Sequence, residues 1–123
     1  MSKRVLDVGN CSADHRAIAS LITRQFSAEV VRAADLADAT RQLQSESFDL
    51  VLVNRQLNSD RGDGLEAIRH IKRDPRLAHV PVMLVSNFPE YQQEAVQAGA
   101  VEGFGKQSLH TNETVERLKP LLS

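Results

Sequence analysis

The chain has 123 residues, of which 41% are apolar and 25% charged, and its formal net charge at neutral pH is -1. That length and balance suit one soluble globular domain with a sizeable core. The interspersed charges give no global pull toward nucleic acid or an anionic membrane, no apolar run approaches the roughly 18 residues of a membrane span, and the single cysteine, Cys11, excludes an intramolecular disulfide.

Met1-Ser2-Lys3-Arg4 is followed by only four residues before Gly9, too short for a signal-peptide core, so a cytoplasmic location is expected. Val5 to Val8 reads as a first strand. Ile18, Leu21, Ile22 and Phe26 then make one apolar helical stripe. Glu29 to Arg32 is a short second strand, and Asp35 caps a helix that buries Leu36, Ala39 and Leu43. Asp49 to Asn54 is almost continuously apolar, as expected of a strand covered on both faces.

After a polar loop, Asp63-Gly64-Leu65-Glu66 has the form of a capping box, opening a helix with Leu65, Ile68 and Ile71 on one side. Pro75 stops that helix. Val80 to Val85 reads as a fourth strand. Ala95, Val96 and Ala98 belong to a helix that Gly99 terminates, Val101 to Gly105 is a short fifth strand, and Val115, Leu118, Leu121 and Leu122 mark a last helix.

Five strands alternating with five helices predict an α/β fold over residues 1–123 as a single domain, a doubly wound parallel sheet with helices on both faces. Right-handed crossovers favour the flavodoxin-like strand order 2-1-3-4-5. In such a sheet chemistry sits beyond the carboxyl ends of the strands, here Gly9-Asn10, Asn54, Ser86 and Lys106.

The segments Phe48-Asp49-Leu50-Val51-Leu52-Val53, Asp63-Gly64-Leu65-Glu66-Ala67-Ile68, Val80-Pro81-Val82-Met83-Leu84-Val85-Ser86, and Gly99-Ala100 with Lys106 seven residues after Gly99 carry a resemblance. In their order and spacing the chain resembles the receiver domains of bacterial two-component response regulators, the CheY-like family. The resemblance implies an acidic pair after the first strand that holds Mg²⁺, an aspartate ending the third that takes phosphate from a histidine kinase, and a hydroxyl and a lysine ending the fourth and fifth. Ser86 and Lys106 stand at the last two positions. Gly9 and Asn10 stand where the acidic pair belongs, and Asn54 stands at the phosphoacceptor position.

An amide cannot replace that aspartate, because its nitrogen lone pair is delocalised and its oxygen is neutral. Mg²⁺ is a hard ion usually held through one or two carboxylates, so with all three positions neutral its binding is expected to be lost, and no metal site or other cofactor is expected. Three further departures follow the same comparison. The loop from Asn54 to Asp63 is two residues longer than the usual spacing and has Asn58 in place of the common proline. Gln107 replaces the proline after Lys106, which puts the usual cis peptide there in doubt. Gly103 replaces the switch aromatic, while Phe104, one step along the strand, points to the opposite face as a core residue.

Asp60 and Asp63 are the acids in the loop near Asn54; Asp63 reads as a helix cap and Asp60 as solvated, with a relocated phosphoacceptor as the alternative. Asp7 interrupts an apolar strand, with Lys106, a shifted register or an exposed strand start as its possible explanations. Ser86 lacks the surroundings of a hydrolase nucleophile, so no catalytic residue is assigned. His15, His70, His79 and His110 show no metal-ligand spacing and read as scattered surface residues. Cys11 reads as a small buried thiol beside the former acidic pocket. Phe88 and Tyr91 stand together at the start of the fourth helix and are the candidate docking surface, the alternative being that they fill a gap beneath the loop.

The sequence therefore predicts a non-enzymatic, phosphorylation-independent receiver in bacterial signal transduction. Its expected partner is a signalling protein (a histidine kinase, an output domain or another regulator, or a second copy in a homodimer), with no direct nucleic-acid contact. The alternative is a sensor in which Gly9, Asn10, Asn54 and Lys106 hold an anion or small ligand without metal.

Overall fold

The structure is a computed structural model, and it describes residues 2–123. Strands β1 (Lys3–Val8), β2 (Ala28–Ala33), β3 (Leu50–Asn54), β4 (Val82–Val85) and β5 (Val101–Phe104) alternate with helices α1 (Ser12–Gln25), α2 (Leu36–Ser45), α3 (Gly64–Arg73), α4 (Pro89–Gln97) and α5 (Asn112–Leu122). The strands form one parallel sheet in the order β2-β1-β3-β4-β5, the expected flavodoxin-like arrangement.

Because successive side chains of a strand face opposite ways, the continuous apolar runs feed two cores at once. Leu6, Val8, Val51, Val53, Val82 and Leu84 face one side, against Ala39 and Leu43 of α2, Leu65, Ile68 and Ile71 of α3, and Ala95 of α4. Val5, Leu50, Leu52, Met83 and Val85 face the other, against Ile18, Leu21 and Ile22 of α1 and Leu118 and Leu122 of α5. Each fully buried Leu, Ile or Val contributes about 1.5–3 kcal/mol. Phe104 is 1% exposed and lies in the second core, as its one-residue offset predicts.

Local chemistry sets most element ends, and some differ from expectation. The Asp35 side chain caps α2 by accepting from the Asp38 amide at 2.8 Å. Asp63 caps α3 through the Leu65 amide at 2.9 Å, but Glu66 does not return to complete a capping box; it pairs with Arg69 instead. β4 begins at Val82 rather than Val80: Pro81 between them has no N–H for the ladder, and the Val80 carbonyl accepts from Lys72, whose Nζ also donates to the Ala78 carbonyl at 3.0 Å. α5 begins three residues before Val115, where Thr111 caps it. Among the described residues no peptide bond is cis.

β5 carries an irregularity: Met83 pairs with Val101 and Val85 with Phe104, so three steps on β5 oppose two on β4. The extra residue is a β-bulge. It brings Gly103 so close to β4 that a Cβ would collide with the Leu84 carbonyl oxygen, which only glycine avoids. Gln92 of α4 braces this point, donating to Leu84 O (3.0 Å) and Ser86 O (3.1 Å) and accepting from Gly103 N (3.0 Å), while Arg117 of α5 donates to Gly103 O (2.6 Å).

Candidate functional site

The loops after β1, β3 and β5 enclose a cavity of about 290 Å³ at the carboxyl edge of the sheet. Asn54, Gln56 and Asn58 supply carboxamides to its wall, Arg61 and Lys106 supply cations, and Asp14 supplies the one carboxylate. Asn54 is half-buried, and its Nδ2 donates to the Gln56 carbonyl at 2.7 Å, which fixes the amide orientation. Lys106 Nζ lies 2.8 Å from Asp14 Oδ2. That hydrogen bond is the main reason the Asp14 carboxyl is held below its usual range; partial burial opposes it, and the Cys11 thiol adds a further bond in the same direction. Cys11 is itself half-buried and lines this cavity.

The structure separates residues that the sequence placed together. Ser86 does not face this cavity. Its Oγ accepts from the Phe88 amide at 3.2 Å, and it lines a larger groove of about 720 Å³ between α4, β5 and α5. Asp60 and Asp63 also turn elsewhere: Asp60 accepts from the Gly62 amide (2.8 Å), and Asp63 caps α3 and pairs with Arg55 at 3.1 Å. The nearby acid is Asp14, on α1, which the β3–α3 loop gave no reason to consider.

At the acidic-pair positions both residues are committed to other contacts. Gly9 has φ +80°, the left-handed region that glycine enters without penalty. A Cβ there would collide with Leu57, falling 2.9 Å from its Cα and nearer still to its Cδ2. Leu57 is 2% exposed, and the next residue, Asn58, donates its amide to the Gly9 carbonyl at 2.8 Å. The β3–α3 loop thus sits on β1 where an acidic side chain would project. Asn10 is 1% exposed and points inward, donating Nδ2 to Asp7 Oδ1 at 2.5 Å.

Asp7 is in register with Arg32 and Leu52, and its side chain is fully buried, so neither a shifted register nor an exposed strand start explains it. Its partner is not Lys106 but His15, whose Nδ1 lies 2.7 Å from Asp7 Oδ2. His15 is accordingly not a scattered surface residue: its side chain is 19% exposed. The eight-residue separation across a strand end and a helix start carries no motif; the polar residue in an apolar strand was the one usable signal.

Phe88 is 55% exposed, whereas Tyr91 packs partly against the first core. Their rings meet edge to face at 5.8 Å, and the Arg55 guanidinium stacks 4.3 Å above the Tyr91 ring. Tyr91 thus fills space beneath the loop while Phe88 projects from it.

A parallel sheet in this order, with its polar cavity beyond the strand ends, defines the flavodoxin-like fold class. Residues 12–119 match the model of the response regulator receiver domain, and the chain belongs to that family, whose members serve two-component signalling. Over 87 residues it is 29% identical to a gliding motility regulatory protein of Myxococcus xanthus, covering 69% of this chain and 11% of that protein. The chain therefore spans about a tenth of the length of the curated relative it matches.

Solved structures share the fold at lower identity. A response regulator of Chloroflexus aurantiacus matches with TM-score 0.85 and 19% identity over 98% of both chains. The chemotaxis protein CheY4 of Vibrio cholerae matches with TM-score 0.77 and 20% identity over 99% of this chain and 100% of that one. A response regulator of Thermotoga maritima, in complex with Mg²⁺ and BeF, matches with TM-score 0.78 and 21% identity over 98% and 99%.

Proposed function

We propose that this receiver works without aspartyl phosphorylation, as a non-enzymatic protein-interaction module of bacterial signal transduction. The observation that carries this reading is Asn54, an amide at the end of β3 with its Nδ2 bonded to Gln56, in a cavity whose single carboxylate is already paired with Lys106. The Mg²⁺ that the family implies does not fit the residues present. Three neutral side chains replace its carboxylates, and Leu57 fills the space into which residue 9 would project. Phe88 is the docking anchor, its exposed ring braced edge to face by the packed Tyr91, for a signalling partner such as a histidine kinase, an output domain, another regulator or a second copy.

Incubation with acetyl phosphate and Mg²⁺, followed by intact mass and peptide mapping, tests the reading. The expected result is no adduct on any aspartate; an alkali-labile phosphoryl group on Asp14, Asp60 or Asp63 would restore an active receiver with a relocated acceptor.

A second reading rests on the cations in the cavity. Arg61 and Lys106 against the single carboxylate Asp14, beside three carboxamides, suit a small anion held without metal. Titration with phosphate, sulfate and nucleotides, followed by amide NMR shifts at Gly9, Asn54 and Lys106, separates this sensor from pure docking, and flat titrations would remove it.

A further inference from the structure

Asp7 takes a carboxylate into the middle of a strand paired on both sides, with no exposed side-chain surface. A buried ion pair is often no more stable than apolar side chains of the same volume, so fold stability alone gives no reason for an aspartate here. Its Oδ1 accepts from Asn10 and its Oδ2 lies 2.7 Å from His15 Nδ1. A carboxylate only accepts, so Nδ1 carries the proton and the free lone pair of the neutral ring is on Nε2. Among the described residues Nε2 has no hydrogen-bond partner and is not one of the buried unpartnered atoms. With the side chain 19% exposed, it reaches solvent.

A carboxylate behind one imidazole nitrogen, with the other facing outward, orients histidine as a ligand or nucleophile. A metal is disfavoured, since among the described residues no three His, Cys, Asp or Glu side chains converge to hold one. A phosphoryl group is favoured by charge. Arg32 donates to Ser12 Oγ at 3.1 Å and to the Asn10 carbonyl at 3.2 Å, and Ser12 neighbours His15 on the α1 surface three residues away. The guanidinium is thus held at the start of α1, on the turn that carries His15, and among the described residues it pairs with no carboxylate, so its charge is available to an incoming phosphoryl dianion. Asp14, the carboxylate adjoining His15 on the same turn, is paired with Lys106.

We propose that His15 accepts a phosphoryl group at Nε2 from acyl-phosphate donors, with Asp7 as its positioning residue. Nε2 attacks phosphorus and the P–N bond forms as the P–O bond to the acyl group breaks. The carboxylate leaves with the electron pair. The proton stays on Nδ1, and the ring, now cationic, is balanced by Asp7. The step needs no divalent ion and is independent of position 54.

The test is incubation with acetyl phosphate in EDTA, with phosphoramidate as a second donor, followed by residue mapping. An acid-labile, alkali-stable adduct is expected on His15, exceeding that on His70, His79 or His110 by roughly tenfold or more, and absent in His15→Gln. Asp7→Asn is expected to slow labelling roughly 10–100-fold and to shift the ring proton between nitrogens in long-range ¹H–¹⁵N spectra. Should that variant fail to fold, the parent spectrum decides, because a ring protonated only on Nε2 in mildly alkaline buffer overturns the proposal. Equal labelling of the four histidines, or no label at all, overturns it alone. Label recovered only on an aspartate overturns it together with the aspartate-free function proposed above.

Discussion

Introducing an aspartate at Gly9 would supply one of the carboxylates the family uses, and this structure predicts that it destabilises the domain without creating a metal site. The residue sits at φ +80°, which costs an L side chain about 1–2 kcal/mol. The new Cβ would also fall 2.9 Å from Leu57 Cα, on a residue that is 2% exposed and anchored through the neighbouring Asn58 amide, so forcing it aside costs about 1–3 kcal/mol more. The loss is about 2–5 kcal/mol, or on the order of 10–20 °C in Tm for a domain of this length. Gly9→Ala carries the same backbone and Cβ penalties and is expected to fall nearly as far. Scanning calorimetry with and without Mg²⁺ is the assay. An ion bound at a concentration of 100 times its Kd would return about 2.7 kcal/mol. If Gly9→Asp melts with the parent protein, or Mg²⁺ lifts its Tm by several degrees, the reasoning about Leu57 and the lost site is wrong.

Asn54→Asp alone is expected to remain unphosphorylated by acetyl phosphate and Mg²⁺, since the acidic pair is still missing; rapid Mg²⁺-dependent labelling would show the loss to be overstated. Asp14 has a carboxyl pKa lowered mainly by Lys106, so its contribution is fully present above the unfolded value near 3.8 and is lost as pH falls through the lower folded value. Asp14→Asn should therefore lower Tm slightly and evenly at neutral pH, since a half-exposed pair is worth little, and converge with the parent as pH falls below about 4, which makes the acid limb of the Tm-against-pH curve shallower. Gln92→Ala removes three bonds that brace the β5 bulge, with an expected loss of about 2–3 kcal/mol in urea denaturation and faster exchange of the Gly103 amide. Phe88→Ala should change stability by no more than about 0.5 kcal/mol, because the ring is exposed, while weakening a docked partner measurably in binding assays.

The elements were legible because their signals are local. The apolar run Leu50-Val51-Leu52-Val53 announces a strand buried on both faces, and Asp35 and Asp63 announce helix starts. Boundaries slipped by a residue or two, as at β4, which starts only after Pro81 and leaves the Val80 carbonyl to Lys72. At the site, the unusual residues Gly9, Asn10, Asn54 and Gly103 could be picked out from their places in the pattern. The company they keep could not: Lys106 with Asp14, Asp7 with His15, and Leu57 over Gly9 each join segments that have no fixed spacing in the chain.

By itself, then, the sequence determined which residues form the sheet, which helices cover it, and which side chains stand at its carboxyl edge, because periodicity and capping depend only on near neighbours. Only the tertiary structure decided which charges neutralise each other, that Ser86 faces the α4–α5 groove rather than Asn54's cavity, and that Leu57 occupies the space beside Gly9. Those outcomes depend on distances between loops. A loop settles where burial and hydrogen bonding are best satisfied across the whole fold, and no local pattern encodes that position.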